Sequence, residues 1–348
     1  IRVLPLLSVG VTTHYRNKAE YPVAKDGDDY RIGFYAPKSH RVTEAADCPL
    51  APAVFPEILD TLRTFFRKYR LSVYDESSGA GLLRHIYLRR GEVSGEILLT
   101  LVVTNLSLPH AKELVDCVTA RFPDVVGILL NLQKEKTNVV LGNTYRTLYG
   151  RDYIYDTLAG VRLKIAAPAF YQVNHDAAEL LYATAKTLAA PKPTDTLLDL
   201  YCGAGSIGLS MAKDVASVIG VEIIPSAIEC AKENAKNNGI ENASFFVGDA
   251  TETERFLDTV AGETGKTIRP DIVVLDPPRG GCDEKLLAFV ASLVPDRIVY
   301  ISCNSATQAR DLAFLRPLGY TATEVTPVDL FPGTGHVETV ALLSKNKD

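Results

Sequence analysis

From Thr194 onward the chain alternates short apolar runs with amphipathic stretches at a regular interval. The runs Leu197–Tyr201, Val218–Glu222, Ser244–Val247, Ile272–Leu275 and Ile298–Ile301 have the length and composition of buried strands. Following them in turn, Ile207–Lys213, Pro225–Asn237, Glu254–Thr259, Glu284–Leu293 and Ala306–Leu315 read as helices, the second with the stripe Ile224, Ala227, Ile228, Ala231 and Ala235 at helical spacing. Alternation of this kind implies right-handed strand-helix-strand units and a parallel, doubly wound α/β sheet. Thr321–Val328 and Thr339–Leu343 are also strand-like, but only Asp329–Glu338 separates them, so they are expected to pair antiparallel. The pattern predicts a seven-stranded, mostly parallel sheet with a final antiparallel hairpin.

Residues 1–165 are patterned less regularly and predict a separate mixed α/β domain, leaving 166–348 for the sheet. Amphipathic helices are expected at Pro56–Arg70 and His110–Phe122, and between them Leu83–Arg90 and Ile97–Val103 flank a polar Gly91–Gly95 turn as a hairpin. A second strand pair is expected at Val125–Leu132 and Asn138–Leu141, joined through Gln133–Thr137. At 348 residues, 47% apolar and 23% charged, the chain can fill two cores. No apolar run approaches the roughly 18 residues of a membrane span, and no basic-then-apolar leader opens the chain, so a cytoplasmic protein with no membrane partner is expected, monomeric by default. The start at Ile1, with Met211 the single methionine, leads us to expect that a natural N-terminal part is missing. Six cysteines without a repeating framework point to reduced thiols.

Charge separates the two regions. Residues 1–165 carry 22 Lys and Arg against 18 Asp and Glu, and residues 166–348 carry 15 against 24, within a net charge of −5. The first region is therefore the one expected to meet a polyanion. Basic and aromatic residues interleave there in His14-Tyr15-Arg16-Asn17-Lys18, Arg84-His85 and Arg89-Arg90, and Arg16, Lys18, Arg84 and Arg89 are the candidate RNA contacts.

The chemistry gathers at the carboxyl ends of the later strands, where ligands bind in such sheets. Leu197–Leu209 passes from an apolar run through a glycine turn into a helix, and Gly203, Gly205 and Gly208 satisfy G-x-G-x-x-G, with Glu222 placed to take ribose hydroxyls. That motif alone fits a dinucleotide or S-adenosylmethionine. Successive ends in Asp199–Tyr201, Glu222, Asp249 and Asp276, followed by Ser302-Cys303-Asn304, together with the final hairpin, favour a Rossmann-like class I methyltransferase over a dehydrogenase. Asp276-Pro277-Pro278 is followed by Arg279 rather than an aromatic, which turns attention from exocyclic amines to pyrimidine carbon 5. That carbon is not nucleophilic enough unaided, and a thiolate added at carbon 6 activates it. Cys303, at a strand-to-helix junction, is placed to supply one.

Tyr300-Ile301-Ser302-Cys303-Asn304, Asp329-Leu330-Phe331-Pro332, His336-Val337-Glu338-Thr339-Val340, Phe170-Tyr171-Gln172-Val173-Asn174 and Asp276-Pro277-Pro278-Arg279 resemble the motifs of the RNA uracil-C5 methyltransferases. Tyr15-Arg16-Asn17-Lys18 and Gly81-Leu82-Leu83-Arg84-His85 extend the resemblance to that family's central RNA-binding domain. The chain is more similar to the branch acting on 23S ribosomal RNA than to the tRNA T-loop branch. The resemblance implies S-adenosylmethionine as cofactor, contacted by Gln172, Tyr201, Ser206, Glu222, Asp249 and Asp276, a nucleophile at Cys303 and a base at Glu338. Members of the ribosomal branch often hold a four-iron cluster on four cysteines. Cys48 stands where the fourth would fall, so a cluster is expected only if upstream cysteines complete it. Three other readings remain open: a tRNA T-loop uridine methyltransferase, a cytosine-C5 RNA methyltransferase using Cys282 as a second cysteine, and a silent RNA-binding or ribosome-assembly module.

Overall fold

The computed structural model describes residues 1–264 and 269–346, which form two compact units. The smaller comprises Thr12–Asp156 and Lys164–Val173; the larger comprises Ile1–Val11, Thr157–Leu163 and the chain from Asn174 onward. The division is thus not a single cut at residue 165. β1 (Arg2–Val3) pairs parallel with residues Glu324 and Val325 near the far end of the chain, and Leu7 bridges Val328, so the first residues complete the larger sheet.

The smaller unit is a seven-stranded sheet under two helices. Its strands are β2 (Lys18–Asp26), β3 (Asp29–Tyr35), β4 (Val42–Glu44), β5 (Leu83–Arg90), β6 (Ile97–Val103), β7 (Val125–Leu132) and β8 (Thr144–Gly150), in the order β4-β3-β2-β5-β6-β7-β8. Only β6 and β7 are parallel, because α2 (Ala111–Arg121) crosses between them. α1 (Val54–Tyr69) buries Phe55, Ile58, Leu59, Leu62, Phe65 and Phe66 against the sheet. Both helices and the β5–β6 hairpin lie where the pattern predicts them. Asn138–Leu141 is not a strand. The Asn131 amide exchanges two hydrogen bonds with Gly142, and Gln133 Nε2 donates to the Val139 carbonyl, so side chains at the end of β7 occupy the backbone groups a strand would need. The partner of β7 is β8 instead.

β9 (Tyr153–Leu158) and β10 (Val161–Ala166) form a hairpin that leads into the larger unit. There α3 (His175–Ala189), capped by Asn174 through the Ala177 N–H, precedes the regular region. It continues as β11 (Thr196–Leu200), α4 (Ser206–Met211), β12 (Ser217–Glu222), α5 (Pro225–Asn237), β13 (Ala243–Val247), α6 (Thr253–Thr264), β14 (Ile272–Leu275), α7 (Glu284–Ser292), β15 (Arg297–Ser302), α8 (Ser305–Leu315), β16 (Tyr320–Val328) and β17 (Glu338–Lys345). All seven predicted strands are present, and β1 adds an eighth, giving the order β1-β16-β17-β15-β14-β11-β12-β13. The β11 to β15 neighbours are parallel, and β17 runs antiparallel between β15 and β16. Their inward faces, from Leu198 and Leu200 to Ile298 and Tyr300, form a continuous core. Strands covered on both faces must be apolar throughout, which is why these runs were legible. No helix among the described residues is long and apolar enough to cross a membrane.

Candidate functional site

The glycine loop is built on a left-handed turn. Tyr201 (φ 64°), Gly203 (φ 54°) and Gly205 (φ 80°) all sit at positive φ, which swings the chain sharply from β11 into α4. A side chain at Gly205 would strike the Phe245 ring at 3.0 Å, and one at Gly208 would meet Asp199 Oδ2 at 2.9 Å, so both glycines are required by packing. Gly203 is different: a Cβ there would meet nothing within 4 Å, so its backbone faces open space. Glu222, at the tip of β12, accepts from Gly203 N (3.2 Å) through one carboxylate oxygen and from Ile224 N (2.9 Å) through the other. The carboxylate is thereby oriented beside the loop with lone pairs to spare for further donors.

Beneath the loop lies Asp199, which sequence reading noted as a strand end but did not assign. It is fully buried; Oδ2 accepts from Gly208 N at 2.8 Å and Oδ1 has no partner. Desolvation pushes its pKa up to about 7 against the opposing Gly208 bond, with the Asp276 and Glu222 charges adding to the rise. Ser206, at the start of α4, is paired with the buried Tyr182 hydroxyl at 2.8 Å. Asp249 is exposed at the end of β13. Asp276 retains some surface, yet desolvation still carries its carboxyl to about 7. The larger unit therefore assembles Tyr201, Gly203, Gly205, Ser206, Glu222, Asp249 and Asp276 along the ends of β11, β12, β13 and β14. A strand-end carboxylate with lone pairs to spare, an open backbone cradle and an orphaned buried oxygen suit the polar groups of S-adenosylmethionine. Gln172 belongs to the smaller unit, where its carbonyl accepts from Asn17.

The register of the final hairpin makes the second half of the site. Ser302 of β15 lies opposite Thr339 of β17, and Cys303 and Glu338 are the residues adjoining that last pair, Glu338 itself facing Val328 of β16. The Thr339 hydroxyl donates to the Ser302 carbonyl (3.2 Å) and the Gln308 amide donates to the Tyr300 carbonyl (3.0 Å), locking the two strand ends. Glu338 is buried, and its carboxyl is pushed up to about 8, chiefly by desolvation and further by Asp276, with Arg279 opposing. The half-buried Cys303 thiol is raised by desolvation and by Glu338, while Arg279 opposes through its charge and a hydrogen bond to the sulfur. Arg279 is the functional candidate the sequence reading passed over, having registered it only as the absence of an aromatic. Its backbone is fixed by α8: Asn304 Nδ2 and the Thr307 hydroxyl both donate to its carbonyl.

The four basic candidates in the smaller unit fare differently. Arg84 and Arg89 are buried, and their guanidiniums are committed to backbone carbonyls, Arg84 to Gln133 and Glu135 and Arg89 to Ala169, so neither is free for a phosphate. A long basic side chain in a continuous strand pattern can be a core tie as readily as a surface charge, and only burial distinguishes them. Arg16 and Lys18 line an open groove of about 570 Å³ that Cys48 also borders. No group of three or more metal-ligating side chains forms among the described residues, and Cys48 is a partly buried free cysteine. Cys282 is buried between Tyr201 and Tyr300, and burial carries its thiol up to about 12, as suits a core residue.

Residues 7–346 match the model of the tRNA (uracil-5-)-methyltransferase family. An uncharacterized RNA methyltransferase of Clostridium acetobutylicum is 41% identical over 331 residues, 95% of this chain and 71% of its own length. One from Lactococcus lactis is 42% identical over 344 residues, 99% of this chain and 74% of its own. Among solved structures, the Pyrococcus abyssi tRNA (uracil-54, C5)-methyltransferase in complex with S-adenosyl-L-homocysteine aligns with a TM-score of 0.80 at 26% identity, covering 98% of this chain and 78% of that one.

Proposed function

The chain belongs to the tRNA (uracil-5-)-methyltransferase family, S-adenosylmethionine-dependent RNA methyltransferases, and from that premise we propose that it methylates carbon 5 of a uridine through Cys303 and Glu338. The observation that carries this reading is that the Cys303 thiol, one residue past the Ser302–Thr339 pair, feels the charges of both the buried Glu338 carboxyl and Arg279, and that Arg279 also acts on Glu338. Bound S-adenosylmethionine supplies an electrophilic methyl group; Tyr201, Gly203, Ser206, Glu222, Asp249 and Asp276 are the residues we assign to hold it.

The thiol has to ionise first. A protonated Glu338 removes a neighbouring negative charge, and the Arg279 guanidinium favours the thiolate, so the carboxyl's raised pKa helps the nucleophile form. The Cys303 sulfur then bonds to carbon 6 of the uracil, and the electron pair moved onto carbon 5 makes that carbon nucleophilic. After methylation, the carbon-5 proton must leave before the carbon–sulfur bond can break. Glu338, once ionised, is the base we assign to accept it, and elimination returns the thiolate.

For substrate we propose 23S ribosomal RNA, supported by the resemblance of the motifs to that branch. A transfer-RNA T-loop uridine is the second reading, favoured by the likeness to the Pyrococcus abyssi enzyme. The buried position of Cys282 speaks against cytosine chemistry. The mechanism is tested on a denaturing gel with labelled RNA: Glu338→Gln is expected to accumulate a methylated RNA–protein adduct, and Cys303→Ala none. A Glu338→Gln protein that turns over normally without adduct removes Glu338 from the role. Methyl transfer into separated ribosomal and transfer RNA from cells lacking the protein decides the substrate.

A further inference from the structure

The smaller unit contains a second polar pocket, apart from the strand-end constellation. Two adjoining depressions, of about 550 Å³ and 450 Å³, share a wall of Tyr35, His40, Glu76, Arg84 and His85. The floor of that wall, Arg84 and His85, is buried and incompletely satisfied. Arg84 is 6% exposed and His85 8%. Arg84 Nη1 donates to the Gln133 and Glu135 carbonyls, but its Nε–H has no acceptor. His85 Nε2 meets the Tyr35 hydroxyl at 3.3 Å, while Nδ1 has no partner. Buried polar atoms are rarely left alone, and both residues that carry these two line the depressions. Burial, and then the Arg84 charge, hold the His85 pKa down at about 4, so its ring is neutral near pH 7.

The rim is aromatic. Tyr35 is 39% exposed and stacks on His40 with ring centroids 5.0 Å apart and planes inclined by 24°, and Glu76 holds the His40 ring through Nδ1 at 2.8 Å. A free phosphate fits poorly, because the Glu20 and Glu76 carboxylates line the same cavity and would repel it. A planar ring with a mixed donor and acceptor edge fits both features: its face meets Tyr35, and its edge turns to the polar floor of Arg84 and His85.

We propose that this pocket takes an unstacked nucleobase of the RNA substrate, other than the uridine that reacts, with its face on Tyr35 and its edge toward the Arg84 and His85 floor. This rests on the RNA methyltransferase reading and adds to it a recognition subsite in the smaller unit. The cavity volume lies within the ordinary range for small-molecule sites, and base–aromatic stacking is a common means of holding unpaired RNA.

The test uses the full chain and does not depend on methyl transfer. The six histidines allow the imidazole resonances of His40 and His85 to be assigned by His40→Gln and His85→Gln. AMP, GMP, CMP and UMP at millimolar concentration are expected to shift both rings, and ribose 5-phosphate to shift neither. Equal shifts from ribose 5-phosphate, or none from any nucleotide, would overturn the proposal. In parallel, Tyr35→Leu is expected to raise the Kd for a single-stranded RNA oligomer by at least about fivefold, and Tyr35→Phe by less, with S-adenosylmethionine affinity constant. A folded Tyr35→Leu protein that binds this RNA as tightly as the parent would also overturn it. If nucleotides shift the rings but no RNA is methylated, the functional reading fails and the pocket stands; methylation with unmoved rings is the converse.

Discussion

Glu338 carries opposite demands at the level of a single residue, because the fold favours its protonated form and the proposed chemistry needs its anion. Its pKa stands at about 8 in the folded chain against 4.5 for an unperturbed glutamate. Between those values the native state holds a proton that the unfolded state has released, so Glu338 makes unfolding easier as pH rises from about 4.5 to 8. Glu338→Gln removes that dependence. The urea midpoint of the variant should fall less with pH than that of the parent, the slopes differing by up to about 1.4 kcal/mol per pH unit at full effect. Equal slopes would show that the carboxyl titrates normally. Product release should accelerate as pH rises through about 8, and a flat profile would detach Glu338 from that step. Glu222 supplies the other residue-scale prediction. Glu222→Ala should weaken S-adenosylmethionine binding by roughly 1.5–3 kcal/mol, the cost of a lost charge-assisted bond, with circular dichroism confirming the fold. Unchanged affinity by calorimetry would remove Glu222 from the cofactor site.

At the scale of elements, the end of β15 and the start of α8 form the hinge between fold and chemistry. Asn304 caps α8 through the Ala306 N–H at 3.1 Å and, with its amide nitrogen, holds the Arg279 carbonyl. Asn304→Ala should destabilise the protein by about 1 kcal/mol, a usual cost for losing a cap. Asn304→Asp keeps the capping oxygen but loses the donor to Arg279, so it should recover most of the stability while methylation stays slow. Denaturant midpoints and initial rates on the two variants separate the roles; if Asn304→Asp restores both, the Arg279 tether has no part in catalysis. The cap itself was legible, since Asn before a helical stretch is a start signal. The amide's second bond was not, because nothing local pairs residue 304 with residue 279. Asn138–Leu141 teaches the same lesson in reverse: its apolar residues suit a strand, but Gln133 claims the Val139 carbonyl within it and Asn131 claims Gly142 just after it.

For the whole molecule, the division of charge between residues 1–165 and 166–348 persists as a division of labour in our proposal, with RNA held by the smaller unit and cofactor by the larger. Arg16→Glu combined with Lys18→Glu should raise the RNA Kd several-fold and flatten its dependence on salt by up to about two counterions, about one per lost phosphate contact, without altering cofactor affinity. An unchanged salt slope would locate the electrostatic surface elsewhere. Arg84 and Arg89 show where charge counting stops being informative, since both add to the positive total while tying carbonyls together in the interior.

The sequence by itself determined the seven-stranded framework and the strand ends that carry Glu222, Asp276 and Cys303, because periodicity, glycine turns and buried apolar runs are local properties that survive any arrangement of the rest. Tertiary structure alone decided which distant groups share an environment. It brought β1 to β16 across the length of the chain, placed the Cys303 thiol within the fields of Glu338 and Arg279, buried Arg84 and Arg89, and left Asp199 Oδ1, Arg84 Nε and His85 Nδ1 unsatisfied. Desolvation and pairing depend on every neighbour within a few ångströms, and most of those neighbours are remote in sequence.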